Sequence, residues 1–171
     1  MVDIPSTPAD GNMSVLLVPE IADPSAPTVT ELTATGVVDI SCYLTSDGYT
    51  PGLDEQVVND ERLCSTQVFE QPGRHTRTLE VIYIDNTNSP NAETDNKAKD
   101  TLVPGSTHNL VVRTGIPFDT PYEADQEVDV TPIKAGQYRK QPPEANSVLK
   151  IAQKLFITGP VVTGVVDASG S

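Results

Sequence analysis

The chain has 171 residues and a mass of 18.3 kDa, about one domain at ~100–200 residues each and long enough to bury a core without disulfide or metal. Acids outnumber bases 24 to 11, a formal net charge of -13. This excludes a nucleic-acid binder that draws its affinity from Lys and Arg contacts to phosphate.

Val, Thr and Ile number 20, 19 and 9, while Leu and Ala number only 11 each. β-Branched side chains lose χ1 freedom in a helix and fit the pleated surface of a sheet, so the composition predicts a mainly β protein. The 15 prolines leave long helices little room.

Residues 1–27 read as an extended N-terminal arm containing one short strand, Met13–Val18, and then broken by Pro19, Pro24 and Pro27. The first residues, Met1-Val2-Asp3-Ile4-Pro5, show neither a basic start nor a long apolar stretch. The expectation is a chain made in the cytoplasm, without a membrane segment. A single β domain is expected over 28–166. Thr28–Thr35 alternates like a strand. Val37–Leu44 reads as a strong one, with Val38, Ile40, Cys42 and Leu44 on one face. Cys42 and Cys64 are expected to be reduced, buried thiols in strand-like surroundings.

Residues 45–62 carry the turn signals Asp47-Gly48 and Pro51-Gly52 and are acidic after them, which predicts a long loop or irregular hairpin. Cys64–Glu70 is strand-like, and Pro72-Gly73 predicts a turn into Arg74–Ile84, the clearest strand. There Arg77, Leu79, Val81 and Tyr83 share one face. A helix is expected at about 94–103, capped by Thr94 and stopped by Pro104-Gly105, with Ala98 and Leu102 as its apolar face. Further strands are expected at Thr107–Thr114, Gln126–Ile133, Val148–Ile157 and Val161–Val166, and a flexible tail at 167–171.

No catalytic or cofactor motif appears: no Gly-rich phosphate loop, no nucleophile elbow, no His-x-x-x-His pair. The run from Asp85 to Pro90 has oxygen side chains at alternate positions. It puts Pro90 where a calcium loop needs glycine and Asn96 where it needs glutamate, so a turn is the better reading. The chain is therefore expected to be a non-enzyme with no metal and no cofactor. Charge is uneven: residues 1–70 hold 12 acids and one base, Arg62. Lys134, Arg139, Lys140, Lys150 and Lys154 face only Glu144 within their stretch. This is either an ordinary solvated surface or a subunit with acidic and basic ends that stacks on copies of itself.

Three stretches together resemble a known family: DISCYLTSDGYT with DERLCS (39–50 and 60–65), YIDN (83–86) and QPPEANSVLKIAQKLFITGPVV (141–162). They are similar to the major tail protein, or tail tube protein, of long non-contractile-tailed bacteriophages, especially those infecting actinobacteria. The resemblance spans about residues 28–162. It implies two packed antiparallel β-sheets, a sandwich or small barrel, with one short flanking helix, a long loop and extended arms. It also implies a virion protein of the phage tail whose copies form rings of six that stack into a conduit for the genome. Its partners would be itself and other tail proteins such as the tape measure and terminator, with DNA passing through without specific binding. Under that reading the segment 45–62 contacts a neighbouring subunit. Tyr49, Pro51 and Leu53 are its apolar points, and Asp54, Glu55, Asp60 and Glu61 meet Lys134, Arg139, Lys140, Lys150 and Lys154. Alternatives are a tail terminator, a head decoration protein, or an immunoglobulin-like binding module, the last lacking its usual Trp.

Overall fold

The computed structural model describes residues 2–168. Its elements are β1 (Met13–Val18), α1 (Val29–Leu32), β2 (Val38–Asp39), β3 (Leu44–Asp60), β4 (Phe69–Ile84), α2 (Lys97–Thr101), β5 (Thr107–Thr114), β6 (Glu127–Lys140), β7 (Lys150–Ile157) and β8 (Val162–Val165). All eight strands join one antiparallel sheet in the order β2-β1-β5-β6-β7-β4-β3, with β8 also on β6. Strand β8 continues the line of β7: Ile157 lies opposite Ile133 and Val162 opposite Val130 on the same strand. The break falls at Pro132, which has no N–H for a ladder; its carbonyl accepts from Thr158 N instead.

The two ends of this strand order are chain neighbours. Residues 40–43 lead from β2 straight into β3, with Ile40 N donating to Val15 O and Leu44 N to Ile40 O. That short link can be made only if the sheet curls, and it does, into a half-barrel. The expected mainly β sandwich or small barrel is thus realised as one continuous curled sheet.

Period-two alternation splits the apolar residues between two cores. The concave face buries Val15, Leu17, Leu110, Val112, Ile133, Ile151, Leu155, Leu79, Val81 and Tyr83, closed over by Ile40 and by Ala98 and Leu102 of the α2 region. The convex face of β1, β5 and the start of β6 buries Leu16, Val18, Val111, Val128 and Val130 under Leu32 and Val166. Strands β1 and β5 are therefore covered on both sides, which is why they read as unbroken apolar runs.

Several expected elements differ, each for a local reason. Thr28–Thr35 contains the helix α1 because Thr28 and Glu31 form a reciprocal capping box that outweighs the β-branched composition. Strand β2 stops at Asp39, whose Oδ1 accepts from Ser41 N and Oγ and so folds the chain into the turn at 40–43. The segment read as a loop, 45–62, is mostly strand β3. Asp47-Gly48 marks a bulge inside it, where a Cβ on Gly48 would collide with the Ile82 carbonyl. Pro51 is tolerated because β3 is the sheet's edge. Pro72-Gly73 likewise lies within β4 beside a second register shift. Helix α2 is shorter than 94–103: Thr94 gives its hydroxyl to Asp95 rather than capping, and Asn96 stands at the N-cap with its Oδ1 accepting from Asn86 N instead of from the helix.

Cys42 and Cys64 are both exposed free thiols, not buried ones, because the turn at 40–43 and the tip between β3 and β4 replace the expected strands. Residues 169–171 of the expected tail lie outside the described residues. Its first residue is pinned by a parallel bridge to Thr28.

Candidate assembly interface

Strand β4 pairs with β7 only from Leu79 to Ile84, whereas its pairing with β3 runs on to Phe69. Beyond Leu79 the two strands therefore leave the sheet as a free ribbon. Ten residues of β4, Phe69–Thr78, span roughly 33 Å at ~3.3 Å each. Leu53, Val57, Val58, Leu63, Val68 and Phe69 along this arm are each at least half exposed. The outer edge of β3 has no partner strand among the described residues. A two-stranded ribbon is marginal by itself in water, and an exposed edge invites pairing with another chain.

Of the apolar residues singled out in the sequence only Leu53, opposite Arg77, lies on this ribbon; Tyr49 and Pro51 pair with Val81 and Leu79 in the sheet that leads into it. Tyr49, Pro51 and Leu53 follow one another at period two on the side of β3 that continues the concave core. Tyr49 is packed at the rim of that core, where burial and, second, the charge of Asp129 push its phenol pKa up. Pro51 and Leu53 are exposed. The acids Asp54, Glu55, Asp60 and Glu61 sit further out. Asp60 is already engaged by Arg62, with Nη2–Oδ2 at 2.9 Å.

The basic residues fall into two groups. Lys134 and Lys154 stand on the uncovered part of the convex face, beside half-exposed Phe156, which Lys134 opposes across strands and Lys154 overlies at 5.1 Å from its ring centre. Arg139 there reaches Glu80 at 3.9 Å. Lys140 and Lys150 bracket the connection from β6 to β7 at the end of the sheet. Within one copy the structure does not bring the arm's acids to these bases; the ion pairs among the described residues are Arg62–Asp60 and Arg139–Glu80.

One residue escaped sequence reasoning. Arg113 on β5 is fully buried and makes no ion pair with a carboxylate among the described residues. Its Nη1 and Nη2 donate to the carbonyls of Pro117, Thr120 and Pro121 and to Gln126 Oε1, and the Tyr122 ring lies 4.1 Å away. Arg113 thereby shapes the whole connection from β5 to β6. Its only sequence signal is a lone cation inside an apolar strand.

Among the described residues no group of His, Cys, Asp and Glu is arranged to hold a metal ion. No described helix is long and apolar enough to cross a membrane.

The chain was compared with known proteins. A family model described as phage tail tube protein matches residues 1–170. Among solved structures, a chain from "Cryo-EM structure of the anti-feeding prophage (AFP) baseplate, 6-fold symmetrised" is similar, with a TM-score of 0.58 and 10% identity. The alignment covers 95% of this chain and 97% of that one. At that identity the likeness is one of fold. No curated protein matches the sequence.

Proposed function

This chain belongs to the phage tail tube protein family, structural proteins of the virion tail, and from that premise we propose that its copies assemble into stacked six-membered rings forming a hollow conduit for the genome. The observation that carries this reading is the β3–β4 arm. It is a long ribbon bearing apolar side chains that the described residues of its own subunit leave at least half exposed. A second copy is the natural cover, and the free edge of β3 offers main-chain pairing to it. Leu53, Val57 and Leu63 supply apolar contact. Asp54, Glu55 and Glu61 meet the Lys134, Arg139 and Lys154 face of a neighbour.

The sixfold symmetry named for the structurally similar baseplate supports rings of six. The acidic balance supports a conduit that does not hold DNA, since phosphate is repelled where no cations are offered. In this reading the protein has no catalytic role and no cofactor. It works with other tail proteins such as the tape measure and terminator, in the long non-contractile tail that the sequence resembles.

The test is to shorten the arm symmetrically. Asp54–Thr76 is replaced by Asn-Gly, a two-residue hairpin turn joining the cross-strand pair Leu53 and Arg77. Circular dichroism checks the β fold, and negative-stain microscopy at high concentration images the product. Tubes from the parent and none from the folded, shortened chain support the proposal. Parent rings that never stack favour a terminator. Tubes from both chains remove the arm from the argument.

A further inference from the structure

The strand β6 has oppositely equipped ends. It is 14 residues long, about 46 Å at ~3.3 Å per residue. Before it lies the β5–β6 connection, which carries Asp119, Glu123 and Asp125, all exposed, and Phe118, 40% exposed. No exposed Lys or Arg occurs between residues 115 and 129. After it lies the β6–β7 connection, where Val148 and Leu149 are 59% and 58% exposed and Lys140 and Lys150 stand on either side. Glu144 is the acid within that connection. Asp85 packs nearby. Burial would raise its pKa, but the Thr87 hydrogen bonds and the charges of Lys99 and Lys140 hold it below the ordinary range, so it partly offsets Lys140. The Asp47 carboxyl, held below the ordinary range first by the Thr45 hydroxyl and last by the charge of Lys150, partly offsets Lys150.

We propose that these two connections form a joint between successive copies of this chain: the Phe118 loop, with Asp119, Glu123 and Asp125, seats on Val148 and Leu149 between Lys140 and Lys150 of the next copy. The inference rests on the assembly reading above and deepens it by naming a contact separate from the arm. Three features support it. The surfaces lie at opposite ends of one strand, which is bulged between Ala135 and Tyr138, so a contact between them is head-to-tail and can propagate from copy to copy. Each has an apolar centre; the first carries three acids and no cation, the second two lysines that Glu144, Asp85 and Asp47 partly offset, and this charge difference favours the head-to-tail pairing over like ends. The acidic loop is also preset. Arg113 holds three of its carbonyls, and Phe118 N donates to Gly11 O, so little ordering entropy remains to be lost on docking.

The experiment uses two charge-reversed full-length chains. One carries Asp119→Lys, Glu123→Lys and Asp125→Lys; the other carries Lys140→Glu and Lys150→Glu. Critical concentration for polymerisation is read by sedimentation and microscopy, with circular dichroism confirming the fold. Each variant alone should need at least about tenfold more protein than the parent, as the loss of about 1.4 kcal/mol at the joint implies. An equimolar mixture should polymerise again, because each variant now offers the ends the other needs. For the parent, added salt should raise the critical concentration; this needs no variant and stands even if one fails to fold. Variants that polymerise alone like the parent, a folded mixture that does not recover, or a parent indifferent to salt would each overturn the joint while leaving ring stacking intact. A parent chain that stays monomeric overturns the assembly reading and the joint with it.

Discussion

The hydroxyl of Tyr83 on β4 donates to Gln153 Oε1 on β7 at 2.9 Å, inside the concave core and sealed from water. Gln153 Nε2 in turn donates to Leu102 O at 2.9 Å and Gly136 O at 2.8 Å. One amide thus ties β4, the end of α2 and the bulge in β6 together. Its full satisfaction is what lets a polar side chain sit among Ile151 and Leu155.

Gln153→Leu should cost about 2–4 kcal/mol, because it strands the Tyr83 hydroxyl and two carbonyls without partners. Tyr83→Phe, which leaves only one acceptor short, should cost about 1 kcal/mol. Urea unfolding of the monomer at neutral pH measures both. Equal costs, or a stabilised Gln153→Leu, would contradict the network.

Arg113→Lys should loosen the β5–β6 connection while the sheet persists. Lys can reach at most a few of the acceptors that the guanidinium fork holds. Hydrogen exchange should speed up by at least about tenfold at Phe118 and Thr120, whose N–H groups are bonded within or beside this loop. Exchange in β5 and β6 should change less. Uniform acceleration across the chain would mean that Arg113 supports the domain and not the loop.

The capping box gives a pH signature. Glu31 accepts from Thr28 N and Ala22 N, and these bonds, in that order, hold its carboxyl below the ordinary 4.5. A depressed folded pKa means a contribution that is present above about pH 4.5 and lost as pH falls through the lower folded value. The stability gap between the parent and Glu31→Gln should therefore be open at pH 7 and close toward pH 3. A gap independent of pH would falsify the ionised cap. Thr28→Ala should cost about 1 kcal/mol at either pH.

Cys42 and Cys64 should react with a thiol reagent in the native monomer about as fast as in the unfolded chain, since both are exposed. On the proposed assembly, Cys64 at the arm tip should become protected and a Cys64→Ser chain should report Cys42 separately. Slow labelling of the native monomer, relieved only by urea, would contradict the exposed placement.

Much of the fold is legible in the sequence where one physical rule acts alone. The strands Met13–Val18 and Thr107–Thr114 stand where the apolar runs put them, because a segment buried on both faces has no polar alternative. The alternation of Leu79, Val81 and Tyr83 gave their common buried face for the same reason. The resemblance to tail tube proteins, carried by word patterns over most of the chain, gave the family.

What local signals could not decide is the span from residue 28 to 73. Asp47-Gly48, Pro51-Gly52 and Pro72-Gly73 are turn dipeptides in isolation, yet all lie within paired strands. An edge strand spares the proline a ladder bond, and a bulge uses the glycine, but neither edge nor bulge exists until β3 has found β4 and β4 has found β7. The burial of Arg113 is decided in the same way, since the carbonyls that hold it come from a loop four to eight residues further on. Composition and local apolar runs are enough to fix the β class, the acidity and the segments that must be buried. Which turn signals become bulges, which cysteines meet solvent and where the sheet stops covering its own longest strands are set by the assembled sheet. Those outcomes depend on pairings between distant residues that no local propensity encodes.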